Sequence, residues 1–119
     1  MGKRQTGNKY EQIVCDYLIK KGMKIIDRNY TVKGGEIDIV AIDGEYICFI
    51  EVKFRTAGAI DAYSSVGISK QRRIIKSAER FIEKTGYNYQ PRFDVVFVFS
   101  CDGELSFEYI KNAFDASVR

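Results

Sequence analysis

"GGEIDIVAIDGEYICFIEVKFR", residues 34–55, decides how the rest of the chain is read. It holds two alternating apolar runs, Glu36–Ile42 and Tyr46–Phe54, on either side of Asp43-Gly44, a pair that favours a tight hairpin turn. Side chains alternate across a strand, so Ile47, Phe49, Glu51 and Lys53 share one face, and Ile50, Val52 and Phe54 the other. Both faces are otherwise apolar, which predicts a central strand covered on both sides. An isolated carboxylate buried there costs several kcal/mol unless it is paired or bound to a cation. Asp38 interrupts the first arm between Ile37 and Ile39. The turn leaves the register open, but it runs the arms side by side, so Asp38 can approach Glu51.

Working outwards, Tyr10, Ile13, Val14, Tyr17 and Leu18 recur at helical spacing and predict a helix from Asn8 to Lys21, with Asn8 as N-cap and Gly22 as stop. "MKIIDRNYTV" (23–32) reads as a strand and Gly34-Gly35 as a break. Thr56–Val66 reads as a loop. Ser69 can cap a long helix over Lys70–Lys84, with Ile74, Ile75, Ala78, Phe81 and Ile82 facing inwards and Thr85-Gly86 ending it. "RFDVVFVFS" (92–100) is a strand, Asp102-Gly103 a turn and "LSFEYI" (105–110) a last strand, before a short terminal helix over Asn112–Val118. The order α-β-β-β-α-β-β-α predicts an α/β protein, a mixed central sheet flanked by helices.

At 119 residues, 45% hydrophobic and 29% charged, the chain suits one domain, 1–119, with one core. The polar start MGKRQTGNK lacks the apolar segment of a signal peptide, and no apolar run has the length of a membrane span, so the expected location is the cytoplasm. Cys15, Cys48 and Cys101 are odd in number and scattered, and read as reduced core thiols. Histidine is absent. That excludes Ser-His and Cys-His nucleophile pairs and His metal ligands. Hydrolytic chemistry would have to use carboxylates, lysines, water and a hard metal ion. The net charge of +3 permits nucleic-acid binding without demanding it.

Two carboxylates and a lysine converging on a sheet suit phosphodiester hydrolysis. Mg²⁺ takes oxygen ligands and is held by one or two carboxylates plus substrate phosphate. Such an ion polarises a phosphoryl oxygen and lowers the pKa of bound water, and a nearby lysine steadies developing negative charge. The competing reading of the same residues is structural: Glu51 and Lys53 as an ion pair, Asp38 as a hydrogen-bonded core residue. Glu11 lies on the edge of the first helix's apolar stripe, where it serves a site or, three residues after Asn8, a capping box. Lys70 and Gln71 stand at the start of the second helix, where an anion is favoured. Arg72, Arg73, Lys76 and Arg80 lie on its outward side and read as a solvated face. Arg55, just past Lys53, and Lys33, before the glycine pair, are candidate backbone contacts. Asp94 interrupts its strand as Asp38 does, and reads as a structural hydrogen-bond acceptor.

Together, "GEIDIVA", "FIEVKFR", "SKQRRI...A", "RFDVV", the terminal "NAF" and the first-helix pattern "G...YE...C..YL" resemble the YraN family of small bacterial proteins. The resemblance covers nearly the whole chain. That family is similar to the restriction-endonuclease-like, PD-(D/E)XK superfamily and to archaeal Holliday-junction resolvases. The resemblance implies an αβββαβ core and a nuclease acting on DNA. It implies Asp38 and Glu51 as metal ligands joined by the Val52 carbonyl, Lys53 as catalytic lysine and Glu11 as the acidic residue of the first helix. Mg²⁺ is the implied cofactor, with Mn²⁺ as substitute. Lys70, Gln71, Arg73, Arg55 and Lys33 are the expected nucleic-acid contacts. Ile37 stands where the superfamily commonly has proline, and Gln71 is followed four residues later by Ile75 instead of tyrosine. The alternative is a nucleic-acid-binding or partner-binding module that keeps the fold without cutting. The exposed aromatics Tyr87 and Tyr89 leave a homodimer open.

Overall fold

The computed structural model describes residues 2–56 and 66–116. Its elements are α1 (Gly2–Lys20), β1 (Lys24–Val32), β2 (Gly35–Asp43), β3 (Tyr46–Thr56), α2 (Ile68–Thr85), β4 (Gln90–Cys101) and β5 (Glu104–Phe114). The strands form one mixed sheet in the order β1-β2-β3-β4-β5. Only β3 and β4 are parallel, and the connection between them carries α2, as a parallel crossover requires. The other neighbours are antiparallel and follow one another along the chain. This is the α/β architecture expected from the sequence, with the sheet and both helices in the expected order.

Each face of the sheet carries its own apolar cluster. Towards α2, Ile47, Phe49, Phe93, Val95 and Phe97 pack with Ile74, Ile75, Ala78 and Phe81. Towards α1, Ile39, Cys48, Ile50, Val96 and Val98 pack with Val14, Cys15 and Leu18. Strand β3 is buried without interruption from Ile47 to Val52, which is what a strand covered on both faces looks like. The Asp43-Gly44 hairpin forms with Gly44 at φ 61°, a left-handed value that glycine adopts without strain. Gly86 likewise ends α2 at φ 72°, its N–H donating to the Ile82 carbonyl at 2.8 Å.

Four local expectations are corrected. Helix α1 starts at Gly2, so Asn8 is not its N-cap and Asn8 with Glu11 is not a capping box. Helix α2 starts at Ile68 behind Gly67, and no side chain caps it; Ser69 lies inside the first turn, where its Oγ accepts a bond from Arg73 Nη1 at 3.2 Å. Cys101 is exposed at the end of β4, not in the core, whereas Cys15 and Cys48 are buried free thiols. The terminal helix is replaced by an extension of β5 through Phe114. Opposite Asp94 the register between β4 and β5 shifts, with Phe93 facing Phe114 and Val95 facing Ile110. Asn112, at φ 54°, aims its N–H at Asp94 Oδ1 at 2.8 Å, and the Phe93 and Phe114 rings stack at 5.2 Å. A buried acceptor and a ring contact thus override the local helical pattern. Residues 57–65 of the expected loop, and 117–118 of the expected helix, lie outside the described residues.

Candidate active site

The hairpin sets the register that the sequence left open. Pairs run from Asp43–Tyr46 to Ile39–Ile50. One step further along the same diagonal, Asp38 meets Glu51. The Asp38 carboxylate accepts the Val52 N–H at 2.8 Å and shares hydrogen-bonding contact with Glu51. Glu51 is 5% exposed. Burial, first, and then the facing Glu51 charge push the Asp38 carboxyl up to about 8; the Val52 N–H opposes this, and the Glu11 charge adds to it. Burial and the facing carboxylate thus both favour the protonated form of Asp38.

Helix α2 closes the site from above. Asp38, Glu51, Gly35, Glu36, Lys70, Arg73 and Ile74 line a cleft of about 240 Å³. The Lys70 ammonium forms an ion pair with Glu51 Oε2. What lets the helix come so near is Gly35: a Cβ there would collide with Ser77 Oγ and lie 3.0 Å from the Arg73 carbonyl oxygen. The sequence shows Gly35 only as part of a break. Its close-packing role appears once α2 is seated on the start of β2.

The remaining candidates fall in different places. Lys53 follows Glu51 on the same face of β3, half-buried and in register with Phe97 of β4. Glu11 accepts a bond from Asn29 Nδ2 at 2.7 Å and lies 4.0 Å from Arg28 Nη2, which ties α1 to β1; it does not line the cleft and bears on Asp38 only through its charge. Gln71 is turned away from the carboxylates. Its Nε2 donates to the Val66 carbonyl at 2.7 Å, and it lines a separate cleft with Phe97, Ile110 and Phe114. Arg55 donates to the Phe54 carbonyl at 2.9 Å and stands over the Phe97 ring at 5.9 Å. Lys33 is exposed in the β1–β2 turn. Among the described residues no three His, Cys, Asp or Glu side chains converge as a metal-ligand group; Asp38 and Glu51 are the carboxylates in contact, and Glu36 also lines the cleft.

A second buried acid went partly unread in the sequence. Asp94 is fully buried and accepts bonds from Arg92 Nε at 3.0 Å, Arg92 Nη2 at 3.0 Å, Tyr109 Oη at 2.6 Å and the Asn112 N–H. Arg92 also bonds Asp43 at 2.9 Å, so the cluster ties the β2–β3 turn to β4 and β5. Burial, then its bond to Asp94, raises the Tyr109 hydroxyl well above the ordinary phenol range. The structural role expected for Asp94 holds. Nothing in the local pattern around Arg92 marks it as buried.

Fold and site together define an α/β protein with a carboxylate pair in its central hairpin, beneath the basic end of a helix. Residues 10–98 match the uncharacterised protein family UPF0102, and the chain belongs to that family, which is YraN-like as the motifs suggested. It is similar to the UPF0102 protein of Carboxydothermus hydrogenoformans, 38% identical over 117 residues that cover 97% of this chain and 99% of that one. The UPF0102 protein of Marinobacter nauticus is 37% identical over 118 residues, covering 97% and 96%. That of Vibrio campbellii is 36% identical over 115 residues, covering 93% of each chain. No described helix is long and apolar enough to cross a membrane.

Proposed function

We propose that this chain is a metal-dependent nuclease of the PD-(D/E)XK kind, hydrolysing DNA phosphodiester bonds. The observation that supports this best is the contact between the Asp38 and Glu51 carboxylates, both drawn into the sheet without a cation of their own strand between them. Like charges in contact are destabilising for a fold and useful for binding a hard cation. The donor set fits Mg²⁺ or Mn²⁺: two carboxylates from the protein, with the Val52 carbonyl as a further oxygen, leaving positions for water and substrate phosphate. When bound, the ion supplies Lewis-acid polarisation of the phosphoryl group.

The chain's own residues do the rest. Lys53, one step beyond Glu51 on the same face, orients the attacking water and steadies the negative charge that develops on the phosphoryl oxygens. Lys70 and Arg73 line the cleft and meet a substrate phosphate, Lys70 holding Glu51 until then. Glu11 adds negative charge felt at Asp38 and so favours a cation there. Arg55 and Lys33 flank the site as outer contacts.

The test is cleavage of linear, single-stranded and four-way-junction DNA with Mg²⁺ or Mn²⁺, with Glu51→Ala as control for contaminating nuclease. Metal-dependent cutting that disappears in Glu51→Ala is expected. Equal cutting by the variant overturns the mechanism. One observation favours a second reading, binding without cutting: Lys70 already neutralises Glu51. Salt-sensitive DNA binding with no cutting above the variant's background would establish it.

A further inference from the structure

Helix α2 holds six Lys and Arg (Lys70, Arg72, Arg73, Lys76, Arg80, Lys84) against Glu79 and Glu83, a net +4, whereas the whole chain is +3. The rest of the chain therefore carries a net −1, and the positive charge is most concentrated on this helix. Its inner face is spent on the core: Ile74, Ile75, Ala78 and Phe81 are buried. From 70 to 84 no large apolar side chain is exposed, so this surface has charge and nothing to insert into a lipid layer. At about 100° per residue, Arg73, Lys76, Arg80 and Lys84 fall within one sector of about 80°, with Glu79 and Glu83 towards one side of it. That sector adjoins the start of β2, where Gly35 touches Arg73 and Ser77. Next to it lies an open groove of about 850 Å³ between β1 and α2, lined by Tyr30, Val32, Lys76, Arg80 and Lys84 together with the two glutamates. The carboxylate cleft and this groove thus follow one another along the same helix, with Arg73 in the first and Lys76 one turn on in the second.

We infer that the outer flank of α2, from Arg73 to Lys84, is a track for the phosphodiester backbone of a DNA strand leading away from the carboxylate cleft. The inference rests on the nuclease reading for its direction and deepens it by assigning where the substrate runs. From Arg73 to Lys84 the helix rises about 17 Å. A duplex strand advances about 3.4 Å per phosphate along the duplex axis, so the flank spans at most about five phosphates of a duplex lying along it. Contacts of this kind read charge and spacing, not bases, so the track confers affinity without sequence preference.

The experiment measures binding of the full chain to a fluorescent 20-base-pair DNA in EDTA, across a salt series. Three proteins are compared: wild type, Lys76→Gln/Arg80→Gln, and Lys20→Gln/Lys21→Gln, the last removing two exposed cations at the end of α1 and just after it. Thermal melting checks that all three are folded. The expected result is binding weakened about tenfold and a log–log salt slope shallower by about 2 in Lys76→Gln/Arg80→Gln, with Lys20→Gln/Lys21→Gln like wild type. Wild-type binding that is unchanged in Lys76→Gln/Arg80→Gln, or weakened equally by both pairs, overturns the track and leaves the nuclease reading standing. Absence of DNA binding by wild type at every salt concentration also overturns the track, and the nuclease reading then stands or falls on metal-dependent cleavage.

Discussion

Glu51 and Asp94 sit on adjacent strands, one residue apart in register, and meet opposite fates. Glu51 lies opposite Val95 and Asp94 opposite Ile50. Asp94 faces the α1 side, where arginine, tyrosine and a backbone N–H satisfy its oxygens. Glu51 faces the α2 side, where another carboxylate meets it and its cation, Lys70, is an exposed lysine reaching in from a neighbouring helix. Burial is common to both. What separates a structural acid from a candidate site is the sign of the group it faces and how firmly that group is held.

Breaking the satisfied side is expected to have the largest effect. Asp94→Ala leaves the buried Arg92 guanidinium with Asp43 as its remaining carboxylate and strips Tyr109 Oη and the Asn112 N–H of their acceptor, and should cost about 3–5 kcal/mol in urea unfolding. The comparison fails if Asp94→Ala costs no more than Glu51→Ala.

Gly35→Ala probes the seating of α2 over the carboxylates. Forcing Ser77 and the Arg73 carbonyl apart should cost about 1–3 kcal/mol and weaken metal binding measured by calorimetry. An unaltered metal affinity would show that the helix position does not shape the site.

The metal-free protein should also reveal the like-charged pair through pH. Asp38 has a folded pKa raised to about 8 from 3.8, so the folded state binds the extra proton between those values. Stability is then fully present at low pH and falls as pH rises towards and through 8. Because Asp38 is half-buried, the expected loss is about 2 kcal/mol between pH 5 and 8, well below the limiting slope of about 1.4 kcal/mol per pH unit. Asp38→Asn should flatten this part of the profile. Stability rising over the same range in the wild type would show that the pair is not protonated when folded.

Lys70→Met is expected to be the mildest change. Its side chain is 45% exposed, so unfolding stability should shift by less than about 1 kcal/mol. Metal affinity should rise, because a competing cation has left the carboxylates. A fall in affinity would make Lys70 a positioning residue for Glu51 instead of a competitor.

Much of this site was legible in residues 34–55. The hairpin turn and the period-2 alternation put Asp38 and Glu51 on facing arms. The apolar character on both faces of Tyr46–Phe54 marked a central strand. Lys70 was legible as a cation at a helix start, but its partner was not: an ion pair across elements leaves no trace in local spacing. The same holds for Gln71, expected to meet an anion at the helix start but lining another cleft, and for Arg92, whose burial depends on Asp94, Asp43 and Tyr109 arriving from three other strand positions.

The sequence by itself determined the elements whose cause is local. Strand alternation, the αL glycines at 44 and 86 and the apolar stripe of α2 act within a few residues, so the nearest neighbours carry the information. Only the tertiary structure decided what depends on long-range contact. It carried β5 on to Phe114, because Asp94 needs the Asn112 N–H and Phe93 stacks on Phe114. It seated α2 on Gly35. It set Asp38 against Glu51, since a carboxylate's pKa is fixed by the desolvation and charge around it, and those come from distant parts of the chain.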